Sequence, residues 1–492
     1  MHQTSVLVIG AGLGGIAAAA HLARRGMRVT VLEKNPHPGG RCDRFVREGH
    51  TFDTGPTLFI MPHVFEDEFA ALGCALHDRL DLQRVDPSYR LVFDDGSRLE
   101  LTSDPGSMRD QLEAIQPGSF TGYQRYIEEG HLHYDLAMER LVNRDFRSAG
   151  QFFNLRNLPL AFSLKPFAHH YSHMAAFFES PRLKAVFTLQ DMYMGLNPFE
   201  APATFSMMPY TEMAHGVWYP KGGMYRVVEA LTEIARQAGV EFAWDTSVRR
   251  IRVAGGRAAG VELEDGQFLA ADAVLANADL PYVYQNLLPP EREADALAHK
   301  RYSCSVISFF WGVDKIYPQL GPHTLFLADD IRENFAEIDR QLSIPANPSL
   351  YVHAPARLDA AMAPAGEETL TAIIPVGHMH ACEEQDWKEL MQQARQAIFR
   401  RLALVGVSDL AEHIKFETCF TPLSWRRRYN LVNGATHGLS HNLLQLGYFR
   451  PHNRHARWHN LYFVGASTHP GTGMPTALVS GRLTAQRMSE EL

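Results

Sequence analysis

Residues 5–9, Ser-Val-Leu-Val-Ile, form a short β-branched apolar run, the pattern of a strand buried on both faces. The glycine string Gly10-Ala11-Gly12-Leu13-Gly14-Gly15 follows at once. An Ala-rich stretch from Ile16 to Arg25 then reads as a helix stopped by Gly26, and a second apolar run, Arg28 to Leu32, ends at Glu33. Related patterns return later. A helix is expected over Tyr225–Gln237, with strands at Val240–Trp244 and Val248–Val253. Asp265-Gly266 joins 260–263 to 267–269 as a hairpin, and Ala273 to Ala278 reads as another buried strand. Further strands are expected at Ser305–Val313, Leu350–Ala354 and Thr369–Val376. Leu461–Val464 feeds a glycine-rich turn and a helix running through Arg487. Leu76 to Leu101 reads as short strands, and Ser107 to Met138 as helix. No internal repeat or long linker interrupts the chain. Strands alternating with helices predict an α/β fold built on a parallel sheet.

Length and composition narrow the class. The chain has 492 residues, 46% of them apolar and 21% charged, which are ordinary globular values. Such a chain holds two to four domains as a prior and buries a large core without staples. Disorder, a coiled coil and a disulfide scaffold are disfavoured. The net charge of −8 gives no global basic field, so nucleic acid is not an expected partner. Cys42, Cys74, Cys304, Cys382 and Cys419 form no C-x-x-C pair, and sparse cysteine suits a reducing compartment. Met1-His2-Gln3-Thr4 leads straight into the first strand, so no cleavable signal peptide is expected. No apolar run reaches the length of a spanning helix. Aromatic residues make up 10% of the chain, 28 of them Phe, unevenly spread.

The N-terminal pattern carries chemistry. Strand, glycine turn, helix, strand and acid fall within about thirty residues, the context a dinucleotide fold needs. Gly10 permits the tight turn, Gly12 lets backbone approach a pyrophosphate, and Gly15 lets the helix pack against the strand. The helix N-terminus offers unpaired N–H groups to phosphate. Glu33 suits the hydroxyls of an unphosphorylated ribose, hence NAD or FAD. Gly39-Gly40-Arg41 supplies a second glycine pair and a cation for the pyrophosphate. The alternative there is a plain turn with a surface Arg. Gly222-Gly223 reads as a strand-to-helix turn beside a cofactor, or as a phosphate site. His378 and His380 are two apart, but no third ligand has metal-site spacing, so no metal is expected.

With these residues in view, the chain resembles the FAD-binding amine oxidase, protoporphyrinogen oxidase and carotenoid desaturase superfamily. Gly10–Gly15, Glu33 and Gly39-Gly40-Arg41 carry the general resemblance. Gly49-His50-Thr51-Phe52-Asp53-Thr54-Gly55-Pro56-Thr57, Trp218-Tyr219-Pro220-Lys221-Gly222-Gly223, Gly447 to Asn453 and Gly465 to Pro475 resemble the carotenoid (phytoene) desaturase branch. The resemblance implies a Rossmann-like FAD domain, of the amine oxidase and GDP-dissociation-inhibitor type, interleaved with an α+β substrate domain. The FAD domain would comprise 1–75, 215–300 and 425–492, and the substrate domain 76–214 and 301–424. Implied FAD contacts are Gly10, Gly12, Gly14, Gly15, Glu33, Gly39, Gly40, Arg41, Gly55, Val248, Gly465, Ala466, Gly473 and Met474. His469, Trp218 and Tyr219 are candidate neighbours of the flavin face, and no residue is assigned as catalytic acid or base.

The implied activity is FAD-dependent desaturation of a long acyclic carotenoid precursor, phytoene to lycopene or neurosporene, with quinone or oxygen as electron acceptor. A C30 diapophytoene desaturase, a hydroxycarotenoid desaturase and a carotenoid end-group oxidase are same-fold alternatives. A non-catalytic lipid-binding escort protein is the different-class alternative, which intact glycines at both flavin sites disfavour. Residues 151–178 contain no Asp or Glu, many Phe and Leu, and the cations Arg156 and Lys165, with His169, His170 and His173 nearby. That composition suits docking on an anionic membrane surface, or a buried helix pair or dimer contact. The expected location is the cytoplasm, peripherally associated with the cytoplasmic membrane.

Overall fold

The computed structural model describes residues 3–340, 342–379 and 385–492. A five-stranded parallel sheet has the order Leu461–Phe463, Ala273–Ala276, Ser5–Ile9, Arg28–Leu32, Glu241–Ala243. Strand alternation divides its two faces. Val6 and Val8 point into one core with the helices Leu13–Arg24, Tyr225–Gln237 and Met474–Glu491, while Leu7 and Ile9 point into a second core. That second core is closed by the antiparallel strands Val248–Ala254, Arg257–Leu263 and Phe268–Ala270. The first and last helices pack closely because Gly481 has no side chain. A Cβ there would lie 2.9 Å from the Gly14 carbonyl oxygen.

A seven-stranded mixed sheet stands beside this unit. Its order is Ile414–Phe420, Ser305–Val313, Glu368–Val376, Leu350–His353, His323–Phe326, Tyr89–Val92, Arg98–Leu101. The helix Trp387–Ala403 covers one face, burying Trp311, Ile374 and Val352 with its own Leu390, Ile398 and Leu402. The alternate residues Ser308, Ile373, Tyr351 and Leu325 face a cavity instead. The parallel sheet takes its strands from three separated stretches of chain, and the mixed sheet from two.

Several expectations are corrected. Ser107–Met138 is not one helix. Pro105–Ile115 and Ser119–Ala137 are separate, because Gly118 takes φ +82° ahead of the second. A helix at Pro62–Ala71, begun by Pro62, has no counterpart among the sequence expectations. Residues 151–178 form short turns rather than a helix pair, and they divide. Leu164, Met174 and Phe178 are buried, whereas Leu155 is 88%, Phe162 76% and Phe167 75% exposed. The cations of that stretch are mostly spoken for. Lys165 and His173 both meet Glu129, and buried His170 meets Asp191. Among the described residues, no helix is long and apolar enough to cross a membrane.

Candidate active site

A cavity of about 570 Å³ lies between the two sheets. One end is a cradle of backbone. Gly10 turns the chain off the first strand at φ +97°, and Gly12 caps the helix Leu13–Arg24 without any side-chain hydrogen bond. The second glycine pair sits against the first. The Gly39 N–H donates to the Ala11 carbonyl at 2.8 Å, and a Cβ on Gly40 would fall 3.2 Å from the Gly12 Cα. Gly55 crosses behind, where a Cβ would overlap the Arg41 carbonyl. At the far side, Gly473 begins the helix Met474–Glu491, again without a side-chain cap. Two helix N-termini thus open on one cavity with N–H groups unpaired by their caps, and glycine keeps side chains out of the space before them. This cradle fits FAD, with room for backbone to approach a pyrophosphate and for a flavin edge at the second helix.

Polar groups frame the cradle. Glu33 is buried; its carboxylate accepts the Ala11 N–H at 2.7 Å and the backbone and side-chain N–H of Asn35 at 2.9 Å. Asn277 follows the strand Ala273–Ala276, where open α/β sheets bind ligands, and its amide lies against Gly12, Gly14 and Gly465. Arg41 donates to the Thr436 carbonyl at 2.9 Å; burial lowers its pKa, with Asp279 pulling the other way. Arg450 is 1% exposed and donates to the carbonyls of Thr468, Ser440, Gln445, Leu439 and Ala466. It therefore ties the loop before the last helix to the segment 439–445. Burial pushes the His469 pKa down to about 4, so its ring is neutral at pH 7.

Beyond the cradle the cavity is lined by Leu58, Met138, Leu141, Met192, Met207 and Met208. The charged lining side chains, Glu33, Lys34, Arg41 and Asp279, all belong to the stretches that supply the parallel sheet and its neighbours. Two polar chains touch the apolar part. The Tyr351 hydroxyl lies 2.8 Å from Thr57 Oγ1 and 2.7 Å from His323 Nδ1. Tyr89 and Tyr193 both donate to the buried carboxylate of Glu212.

Of the residues expected at the cofactor, Gly10, Gly12, Gly14, Glu33, Gly39, Gly40, Arg41, Gly55, Val248, Gly465, Ala466, Gly473 and Met474 line the cavity. Gly15 does not; it lies beneath the turn, where a Cβ would meet the Gly10 carbonyl oxygen, so it serves packing. His469 lines the cavity, but Trp218 and Tyr219 do not. The Trp218 indole donates to the His215 carbonyl at 2.8 Å, and Tyr219 is buried beside His353. Gly222-Gly223 is no phosphate site. The Asp53 carboxylate already accepts the Met224 and Tyr225 N–H groups at 2.8 and 3.0 Å. Burial raises the Asp53 pKa to about 6. His378 is half-buried beside Tyr302, and His380 and Cys382 lie outside the described residues. Sequence reasoning missed Asn277, Tyr351, His323 and Glu212. Position at a strand end could have flagged Asn277; the others carry no motif.

Comparison with known proteins agrees with this geometry. The model of the flavin-containing amine oxidoreductase family matches residues 13–489. The chain is 42% identical to a zeta-carotene-forming phytoene desaturase of Myxococcus xanthus, covering 98% of this chain and 93% of the relative. It is 32% identical to a 4,4'-diapophytoene desaturase (4,4'-diaponeurosporene-forming) of Staphylococcus haemolyticus, covering 99% of each. A putrescine oxidase structure with putrescine bound superposes with a TM-score of 0.66 at 16% identity over 99% of both chains, a likeness of fold.

Proposed function

The chain belongs to the flavin-containing amine oxidoreductases, in the carotenoid desaturase branch, and from that premise we propose that its substrate is the C40 hydrocarbon phytoene. It is an FAD-dependent oxidoreductase acting on CH–CH bonds, and the expected product is a more conjugated carotene, neurosporene or lycopene. The observation that carries the hydrocarbon reading is the Met- and Leu-lined cavity running on from the glycine cradle, and the higher identity to the phytoene relative favours C40 over C30. A hydrocarbon has no polar handle, so shape and apolar contact must position it, and thioether side chains adapt to a long flexible chain. An amine substrate held as its ammonium by an ion pair would need an accessible carboxylate in this stretch. Glu212 is instead covered by the hydroxyls of Tyr89 and Tyr193.

FAD, when bound, supplies the acceptor for the hydride removed from the hydrocarbon. We propose that it is held by the residues lining the cradle, from Gly10 to Gly14, Glu33, Gly39 to Arg41, Gly55, Val248 and Gly465 to Met474. The chain's own contribution is to orient one C–C bond, exclude water and take up the second hydrogen as a proton. The stretches 1–75, 215–300 and 425–492 would act as the cofactor unit and 76–214 and 301–424 as the substrate unit. A quinone or oxygen would reoxidise the flavin. The 32% identical relative keeps a C30 substrate as the second reading. Expression with phytoene and with 4,4′-diapophytoene supplied separately tests this. A new polyene absorbance is expected with phytoene, and conversion of diapophytoene alone would overturn the C40 assignment. Mass and spectrum of the product give the number of double bonds added.

We further propose a peripheral location on the cytoplasmic membrane. The cluster Phe153, Leu155, Leu158, Phe162 and Phe167, all exposed and close in sequence, supports it. With Lys165 and His173 turned onto Glu129, the attraction to lipid would be chiefly apolar, with exposed Arg156 adding a smaller electrostatic part.

A further inference from the structure

Removing a hydride from one carbon leaves its neighbour strongly acidic, so desaturation needs a proton acceptor beside an apolar cavity. An ionised base exposed there would be costly to desolvate and would repel a hydrocarbon. Glu212 meets both demands. It sits in the wide π-helical turn Thr211–His215 and is 2% exposed. Its Oε1 accepts the hydroxyls of Tyr89 at 2.8 Å and Tyr193 at 2.7 Å, and its Oε2 accepts the Gln190 side-chain amide at 2.7 Å. All three partners are neutral donors, and among the described residues Glu212 has no ion-pair partner. Tyr193 lines the cavity and is partly accessible from it, Tyr89 borders it with only 1% of its surface exposed, and Glu212 stands one phenol behind them.

We propose that Tyr193 is the catalytic proton acceptor of the reaction, that Glu212 receives the proton Tyr193 gives up, and that Tyr89 is a positioning residue holding the same carboxylate oxygen. The inference rests on the desaturase reading above. As the hydride leaves one carbon, the C–H bond on its neighbour breaks. That electron pair becomes the new π bond. The proton goes to a phenol oxygen, while the phenol's own proton passes to Glu212 Oε1. The phenol is neutral before and after, and the carboxylate becomes a carboxylic acid. The surroundings accommodate both states. A proton on Glu212 Oε1 finds an acceptor in the facing phenol oxygens, while Oε2 keeps accepting the Gln190 side-chain amide. Burial raises the Glu212 pKa, opposed only in part by its three donors. The other titratable groups nearby bear on the phenols. Asp191, hydrogen-bonded to His170, acts on Tyr193, Tyr351 acts on Tyr89, and the His323 ring lies 6.1 Å from that of Tyr89.

The test uses holoenzyme on phosphatidylcholine liposomes, following anaerobic loss of flavin absorbance with phytoene against pH, and infrared titration of the protein without substrate. Wild-type reduction should slow as pH falls and Glu212 is protonated. Glu212→Gln should retain FAD, lose ~10²–10⁴-fold in rate and lose that acidic limb. The double variant Tyr89→Phe/Tyr193→Phe should behave alike. The infrared difference between wild type and Glu212→Gln should contain a buried carboxyl C=O band that grows as pH falls, beyond the bands that buried Asp53 and Asp279 give in both proteins. Wild-type rates in the Tyr double variant, or an acidic limb that survives in Glu212→Gln, would overturn the relay. If wild-type flavin is reduced by neither phytoene nor diapophytoene, the desaturase reading fails. The relay is then judged by the infrared band, whose absence from the wild-type minus Glu212→Gln difference overturns it independently.

Discussion

At the scale of single residues, the cradle depends on atoms that are missing. A Cβ at Gly12 would stand 2.7 Å from Asn277 Nδ2, in the space where backbone must approach a pyrophosphate. Gly12→Val should therefore abolish flavin binding while the fold survives. Absorbance of the purified protein checks it, and stoichiometric flavin in the variant would refute the site. Arg450 is the opposite case, one side chain satisfying carbonyls from two segments. Arg450→Met keeps the volume but strands those acceptors. It should cost at least about 3 kcal/mol. The loop 465–474 should loosen with it, so a lower Tm and faster flavin loss are expected together. The glycines were legible in the sequence because their spacing is the signal. The role of Arg450 was not, since its partners are backbone carbonyls drawn together only by the fold.

At the scale of elements, the sequence shows strands and helices wherever one period holds for long enough. Ser5–Ile9, Arg28–Leu32, Ser305–Val313 and Tyr225–Gln237 fall where the pattern puts them. The short helices between 149 and 215 do not show, because each is a single turn or two held by packing rather than by periodicity. Helix 225–237 also has a cap that no local pattern reveals. Asp53, far away in sequence, accepts the N–H groups of Met224 and Tyr225. Burial outweighs those bonds and lifts its pKa from 3.8 to about 6. The folded state thus binds a proton more tightly than the unfolded chain. This term favours folding below about pH 4 and is lost as pH rises to about 6. Asp53→Asn should remove that slope. Denaturant unfolding of both proteins between pH 4 and 7 measures it, and parallel curves would show that Asp53 does not titrate in this range.

At the scale of the whole molecule, the question is how a hydrocarbon insoluble in water reaches a cavity between two sheets. The exposed cluster at 153–167 is joined to the cavity by aromatic contacts. Phe153 packs on Tyr448 and Phe449, Phe152 stacks on Tyr448, and Phe146 meets Phe152 and His469. Leu141 and Gly447, near Phe152, line the cavity wall. A membrane contact at this surface would place substrate-bearing lipid against the side of the protein nearest that wall. Leu155, Phe162 and Phe167 are the most exposed apolar side chains of the cluster. Each is worth about 1.5–3 kcal/mol when fully buried. Replacing all three by Ser should weaken liposome binding at least about a hundredfold, even allowing for incomplete insertion. Flavin content should stay unchanged, because none of the three lines the cavity. Since Lys165 and His173 are paired with Glu129, raising salt should reduce wild-type binding only slightly. Co-sedimentation with liposomes at two salt concentrations measures both effects. Unchanged binding in the triple variant would sink the docking surface, whereas a steep salt dependence would move the contact to a charged face elsewhere.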